Sequence, residues 1–217
     1  MKKVILIITT LMFISCSTEN NTEKVNISSL KDSKSDVFTQ QQLSEDSNFI
    51  ELVVEMESFK NYAKGIIENN NLDINNVQSE LNSLNAENLD YETQIKKINF
   101  ILKTDVSIRY AEHYKIFNRN WSVINKNYPN IEVQNLEEAY HNVLAKTDAG
   151  GGELSGGCGW RYNLCIVAVG AGAVLCHAGC DTTALATTAG LGIPACIWLC
   201  TTIQVAASVE CYDTHCK

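Results

Sequence analysis

Six cysteines near the carboxy terminus, Cys165, Cys176, Cys180, Cys196, Cys200 and Cys211, are separated by 11, 4, 16, 4 and 11 residues, a series that reads the same from either end. On an α-helix, steps of 4 and 11 both return to nearly the same face, because three turns take about 11 residues. Cys165, Cys176 and Cys180 therefore share one stripe, and Cys196, Cys200 and Cys211 share another. Two antiparallel helices carrying such stripes can be tied at equal heights only by nested bridges. The spacing predicts Cys180 with Cys196, Cys176 with Cys200 and Cys165 with Cys211, and leaves Cys158 to meet Cys216 outside the hairpin.

The residues between the cysteines suit that hairpin. Ala168, Gly170, Ala171, Gly172, Ala173 and Gly179 are small, which lets two backbones come within disulfide range. Gly190 to Gly192 marks a break, and Pro194 fits the first turn of the second helix. Asp181-Thr182-Thr183 can cap a short connecting helix running through Thr188. Bridges closing loops of these lengths contribute on the order of 3 kcal/mol each, which a small unit with little core needs.

Composition divides the 217 residues into two regimes. Eight of the nine cysteines lie between Cys158 and Cys216, and none lies between Ser17 and Gly157. After Gly157 the only ionised side chains are Arg161, Asp181, Glu210, Asp213 and Lys217, so the formal net charge of -8 belongs mostly to the middle of the chain. No basic stripe is present to displace counterions from a phosphate backbone, which disfavours nucleic acid as a partner.

The amino terminus sets the compartment. Met1 to Ser15 reads as a signal peptide, with Lys2 and Lys3 as a positive start and Val4 to Ile14 as an apolar run too short to span a bilayer. Phe13-Ile14-Ser15-Cys16 resembles the lipobox of bacterial lipoproteins, which implies that Cys16 is acylated and becomes the first mature residue. Two acyl chains would give stable anchoring to a bilayer. The other reading is an ordinary cleaved signal. Either way the chain is exported, and eight remaining cysteines in an oxidising compartment read as a disulfide framework. Residues 16–45, rich in Ser, Thr, Asn, Lys, Asp and Gln, follow as lipid anchor and disordered tether.

Residues 46–147 carry apolar side chains at helical spacing. Phe49, Leu52, Val53, Met56, Phe59, Ala63, Ile66 and Ile67 make one long face, and the Asn69-Asn70-Asn71 break ends it. Ile74 to Leu84 and Tyr91 to Leu102 give two more helices, and Val106 to Ile124 a fourth that Tyr128-Pro129 interrupts. A fifth contains Val133, Leu136, Tyr140, Val143 and Leu144, with Pro129 and Asn130 as its start signals. The fold class is therefore all-α: a helical bundle followed by a disulfide-stapled antiparallel helical hairpin. Glu51, Glu55 and Glu57, and the pair Glu137-Glu138, are read as solvated faces. His113 and His141 are read as helix-surface or core-edge residues, since no cluster at ligand spacing surrounds them.

Residues 148–157 contain five glycines and form a linker or a processing site. Gly156-Gly157, just before Cys158, resembles the double-glycine junction at which exporters release small bacteriocins, with Glu153-Leu154 upstream as a loose counterpart of their leaders. The segment 158–217 is poor in charge: Tyr162 to Cys180 holds none, and between Thr182 and Val209 there is none either. Its Cys-x3-Cys pairs, Gly/Ala-rich apolar helices, Leu191-Gly192-Ile193-Pro194 break and terminal Cys211-Tyr212-Asp213-Thr214-His215-Cys216 resemble the cysteine-rich halocin-like bacteriocins. The plan of export signal, helical middle and cysteine-rich end is also similar to fulvocin-related bacteriocin precursors. The resemblance implies a membrane-active carboxy-terminal peptide carried behind a helical pro-region that in some members confers immunity. A lipobox favours a surface-displayed or contact-dependent form, acting on a target-cell membrane or surface protein.

Other chemistry is less favoured. Structural zinc on Cys176, His177 and Cys180, or on Cys211, His215 and Cys216, would place polar knuckles inside apolar helices, so neither metal nor cofactor is expected. Cys176 and His177 are adjacent on a helix and point about 100 degrees apart, which does not suit a nucleophile and its base. Gly170-Ala171-Gly172 lacks the strand and third glycine of a dinucleotide loop. An enzyme is thus not expected. The alternative to a toxin precursor is a surface lipoprotein whose stapled tail is a structural or partner-binding module.

Overall fold

The computed structural model describes residues 41–87, 89–147, 158–184 and 193–216. The signal peptide, Cys16, the linker with Gly156 and Gly157, and the Gly190 to Gly192 break lie outside the described residues. Those described are helical, with no strand among them. The elements are α1 (Ser47–Asn69), α2 (Ile74–Asn85), α3 (Tyr91–Leu102), α4 (Ser107–Asn127), α5 (Val133–Lys146), α6 (Gly159–Ala184) and α7 (Pro194–His215).

Local chemistry sets the boundaries. Asp46, Asp73 and Asp90 each cap a helix by accepting backbone N–H groups: Asn48 N–H for α1, Asn75 and Asn76 N–H for α2, and Thr93 N–H for α3. Asn71 and Lys103, at φ 48° and 55°, turn the chain left-handed after α1 and α3. α4 ends before Tyr128-Pro129, as the sequence predicts. α5 starts later than Pro129-Asn130 suggests, since those residues form a turn and Glu132 is the cap position. Val133 at its first turn is exposed rather than part of the apolar face. The first hairpin helix runs unbroken through 181–184, so Asp181-Thr182-Thr183 continues α6 instead of capping a new helix.

The long helix α1 is the hub, packing against α4, α5, α6 and α7. The hairpin is not appended to the bundle but built into it. α7 also lies on α2 and α3, and α6 on α5. One core joins Phe59, Leu81, Ile98 and Tyr110 to Trp198 and Ile197, and a second joins Phe49, Met56, Phe117 and Leu136 to Ile166 and Val174. Residues 41–45, placed in the tether by composition, are helical, and Leu43 is fully buried in the second core.

Candidate functional site: a stapled apolar hairpin in a polar-seamed sheath

Four disulfides tie the hairpin: Cys180–Cys196, Cys176–Cys200, Cys165–Cys211 and Cys158–Cys216. They are nested, in the order the mirror series describes. The Cα separations of the three inner bridges are 5.7, 5.8 and 5.8 Å, so the helices keep a constant spacing from the first of these bridges to the last. The small residues divide their labour differently from expectation. Ala171 and Ala173 are buried, whereas Ala168 and Gly179 face outward. Gly170 makes room for the bundle rather than for α7: a Cβ there would overlap the ring of Tyr140 on α5.

That tyrosine leads into a buried polar seam. Tyr140 Oη donates to Glu57 Oε1 at 2.5 Å, Gln204 Nε2 of α7 donates to the same oxygen at 3.4 Å, and Lys60 Nζ donates to Glu57 Oε2 at 2.6 Å. Glu57 and Lys60 are 1% and 2% exposed, so the expectation that Glu57 lies on a solvated face is wrong. The physical reason is the position of α1 at the hub: four helices pack on it, and the face it buries is wide enough to include Met56, Glu57, Phe59 and Lys60. Two charges there are tolerated because they pair and because neutral donors complete the carboxylate shell.

A second seam is built from imidazoles. Glu55, also expected on a solvated face, accepts from Arg109 Nη1 at 2.6 Å and from His113 Nδ1 at 2.8 Å. His113 is fully buried rather than at a surface or edge, stacked on Phe59 at 3.9 Å between ring centroids, and its ring stands 5.3 Å from that of His177 on α6. Burial pushes His113 below its ordinary value against the pull of Glu55. Burial, with His113 adding to it, pushes His177 down to about 3. Both rings are therefore neutral near pH 7. Burial acts to raise the Glu55 carboxyl, but the hydrogen bonds from His113 and Arg109 outweigh it and hold the group below the usual range. His177 Nδ1 meets Ala173 O at 2.7 Å and Nε2 meets Thr201 Oγ1 at 3.2 Å, which links the two hairpin helices beside the bundle histidine. His141, by contrast, is half-buried and distant from this cluster in sequence and element. Glu51 keeps a half-exposed carboxylate, paired with Arg119 at 2.5 Å.

The bundle also finishes the hairpin's backbone. α7 has no side-chain cap of its own, and Gln94 Oε1 of α3 accepts the Ala195 N–H at 3.2 Å, satisfying one of its orphan donors. Gln78 Nε2 of α2 donates to Thr202 O at 3.0 Å.

The outward side of the hairpin is different. Leu164, Leu175, Val209, Trp160 and Tyr212 are exposed, and from Tyr162 to Cys180 and Pro194 to Val209 there is no Asp, Glu, Lys or Arg, and the single histidine, His177, is buried. Gly159–Cys180 and Pro194–His215 are each long and apolar enough to cross a membrane, with about half of that apolar stretch buried inside the fold. Disulfides and two such helices are compatible with an exported or membrane-associated protein. Sequence reasoning found the bridges and the apolar helices, and missed Glu57, Lys60, His113, Gln94 and Gln204. The only advance signal was the opposite charge of Glu57 and Lys60 at three residues' spacing, which a surface pair shares. No protein-family model, curated protein or solved structure matches this chain.

Proposed function

We propose that this is an exported, lipid-anchored bacteriocin-like precursor, related in plan to the halocin-like and fulvocin-related peptides, whose segment 158–217 is membrane-active against other bacteria. The observation that carries this reading is the half-sheathed hairpin. Two apolar helices of bilayer-spanning length are locked at fixed spacing by four disulfides, while the bundle covers one side of them. Such a unit is held inert by its neighbours and becomes amphiphilic toward a bilayer once they part. Acylated Cys16 would hold the precursor at its own membrane, and cleavage after Gly157 or contact with a target cell would free the hairpin. The bundle, which already buries the hairpin's inner face, is suited to serve as the immunity element.

A second reading draws on the same packing. Because the two segments share both cores and the Glu57 seam, the hairpin also fits a permanent structural module of a surface lipoprotein that binds a partner. The two are separated by adding oxidised residues 158–217 to growing cultures of related bacteria. Growth inhibition that disappears on reduction supports the toxin, and no inhibition, with an uncleaved chain on the producing cells, supports the structural module. Anchoring is tested apart from toxicity: Cys16→Ser is expected to abolish incorporation of labelled fatty acid and to move the chain from the membrane fraction to the medium or periplasm.

A further inference from the structure

The inner half of the cysteine ladder gathers three sulfurs at one place, with a fourth bonded to one of them. Cys176 and Cys180 stand about one turn apart on α6, and Cys196 and Cys200 one turn apart on α7. Cys180 Sγ lies 3.6 Å from Cys200 Sγ, although each is bonded to another partner. The sulfurs of Cys180, Cys196 and Cys200 all lie within 4.8 Å of one another, and Cys176 is bonded to the last of them. Four thiolates held tetrahedrally at about 2.3 Å from a zinc ion stand about 3.8 Å apart. The non-bonded spacing of Cys180 and Cys200 already has that value to within a few tenths of an ångström. Opening the two bridges lets the bonded sulfurs separate to the same distance, and the Cys176 side chain, freed from Cys200, must swing in to join the other three.

We propose that the reduced chain binds one zinc ion through Cys176, Cys180, Cys196 and Cys200, at a site that comes into being when the two inner disulfides open. Each disulfide takes two electrons and two protons from a dithiol reductant, which closes to its own disulfide. Zinc then displaces the four thiol protons and leaves a tetrathiolate. The bundle keeps the ligands in register without the bridges, because Trp198 and Ala195 are fully buried in the first core and Gln94 holds the start of α7. Cys176 and Cys196 are half-buried and give the ion a way in to buried Cys180 and Cys200. The outer cysteines cannot substitute, since Cys165 is 11 residues, or about 16 Å of helix, from Cys176. The metal would thus do for a chain that has not yet been oxidised what the inner bridges do afterwards. This does not rest on the toxin reading.

The test uses the full chain, reduced without oxygen by a water-soluble phosphine, which becomes its oxide as each disulfide gives two thiols. The chain is titrated with Co²⁺ and then with Zn²⁺. The expected result is one Co²⁺ per chain with the sulfur-to-metal absorption of a four-thiolate site, displaced by zinc with release of protons. Cys180→Ser with Cys196→Ser should weaken binding by at least about tenfold, while Cys165→Ser with Cys211→Ser should leave it unchanged. No uptake by the reduced chain, whether or not circular dichroism shows it still helical, would overturn the proposal. So would loss of binding in the second pair with retention in the first.

Discussion

The five helices of the middle and the two of the hairpin solve different problems. α1 to α5 each place their apolar residues on a stripe, widest on the hub helix α1, and keep most of their charged side chains toward water. α6 and α7 carry large apolar side chains on their exposed sides as well as their buried ones, and the bundle covers only part of that surface. A helix of the second kind is stable in water only if something rigid fixes its partner and if its inner face is matched in detail. The disulfides do the first and the polar seams do the second. Regular sequence pattern therefore describes the sheath, while covalent spacing and a few polar contacts describe what is sheathed.

Substitutions at the inner face, where sheath and hairpin meet, should have the largest effects. Trp198→Ala should destabilise the fold by about 3–5 kcal/mol, because its side chain is fully buried beside Phe59 and Tyr62; the urea midpoint measures it. Glu57→Ala leaves Lys60 charged in the core and should cost about 3–5 kcal/mol, whereas Glu57→Ala combined with Lys60→Met should recover much of the loss. An additive double variant would show that the pair is not the unit described. Acid acts on the second seam. Unfolded histidine takes a proton below about pH 6.5, whereas His113 and His177 are held neutral in the fold to lower pH, beside the charged pair Glu55 and Arg109. The unfolded state binds more protons in that window, so stability is complete above about pH 6.5 and declines as the pH falls toward the folded values. Urea midpoints at pH 7.5 and 5 should differ, and a His177→Gln chain should show a smaller difference. At the outer face the expected effect on folding is the smallest: Leu175→Lys should change stability by less than about 0.5 kcal/mol, yet weaken binding of the oxidised hairpin to vesicles.

Much of this fold is legible in the residue pattern. Helical period locates α1 to α4 because each buries one stripe, and the mirror spacing of Cys165 to Cys211 places two helices side by side without any period to read. What stays hidden has a common cause. Glu57, Lys60 and His113 look like surface residues because local pattern reports one helix at a time, and their burial comes from α5, α6 and α7 arriving on α1 and α4 from far along the chain. Gly170 illustrates the same limit: its smallness suits a close helix pair, and the fold uses it to receive Tyr140 instead.

Dye release from phospholipid vesicles tests the sheathing account most directly, with equal molar amounts of the intact chain and of oxidised residues 158–217. The account predicts release by the isolated hairpin, none by the intact chain, and suppression when the hairpin's disulfides are reduced. Equal release by both, or none by the oxidised hairpin, would contradict it.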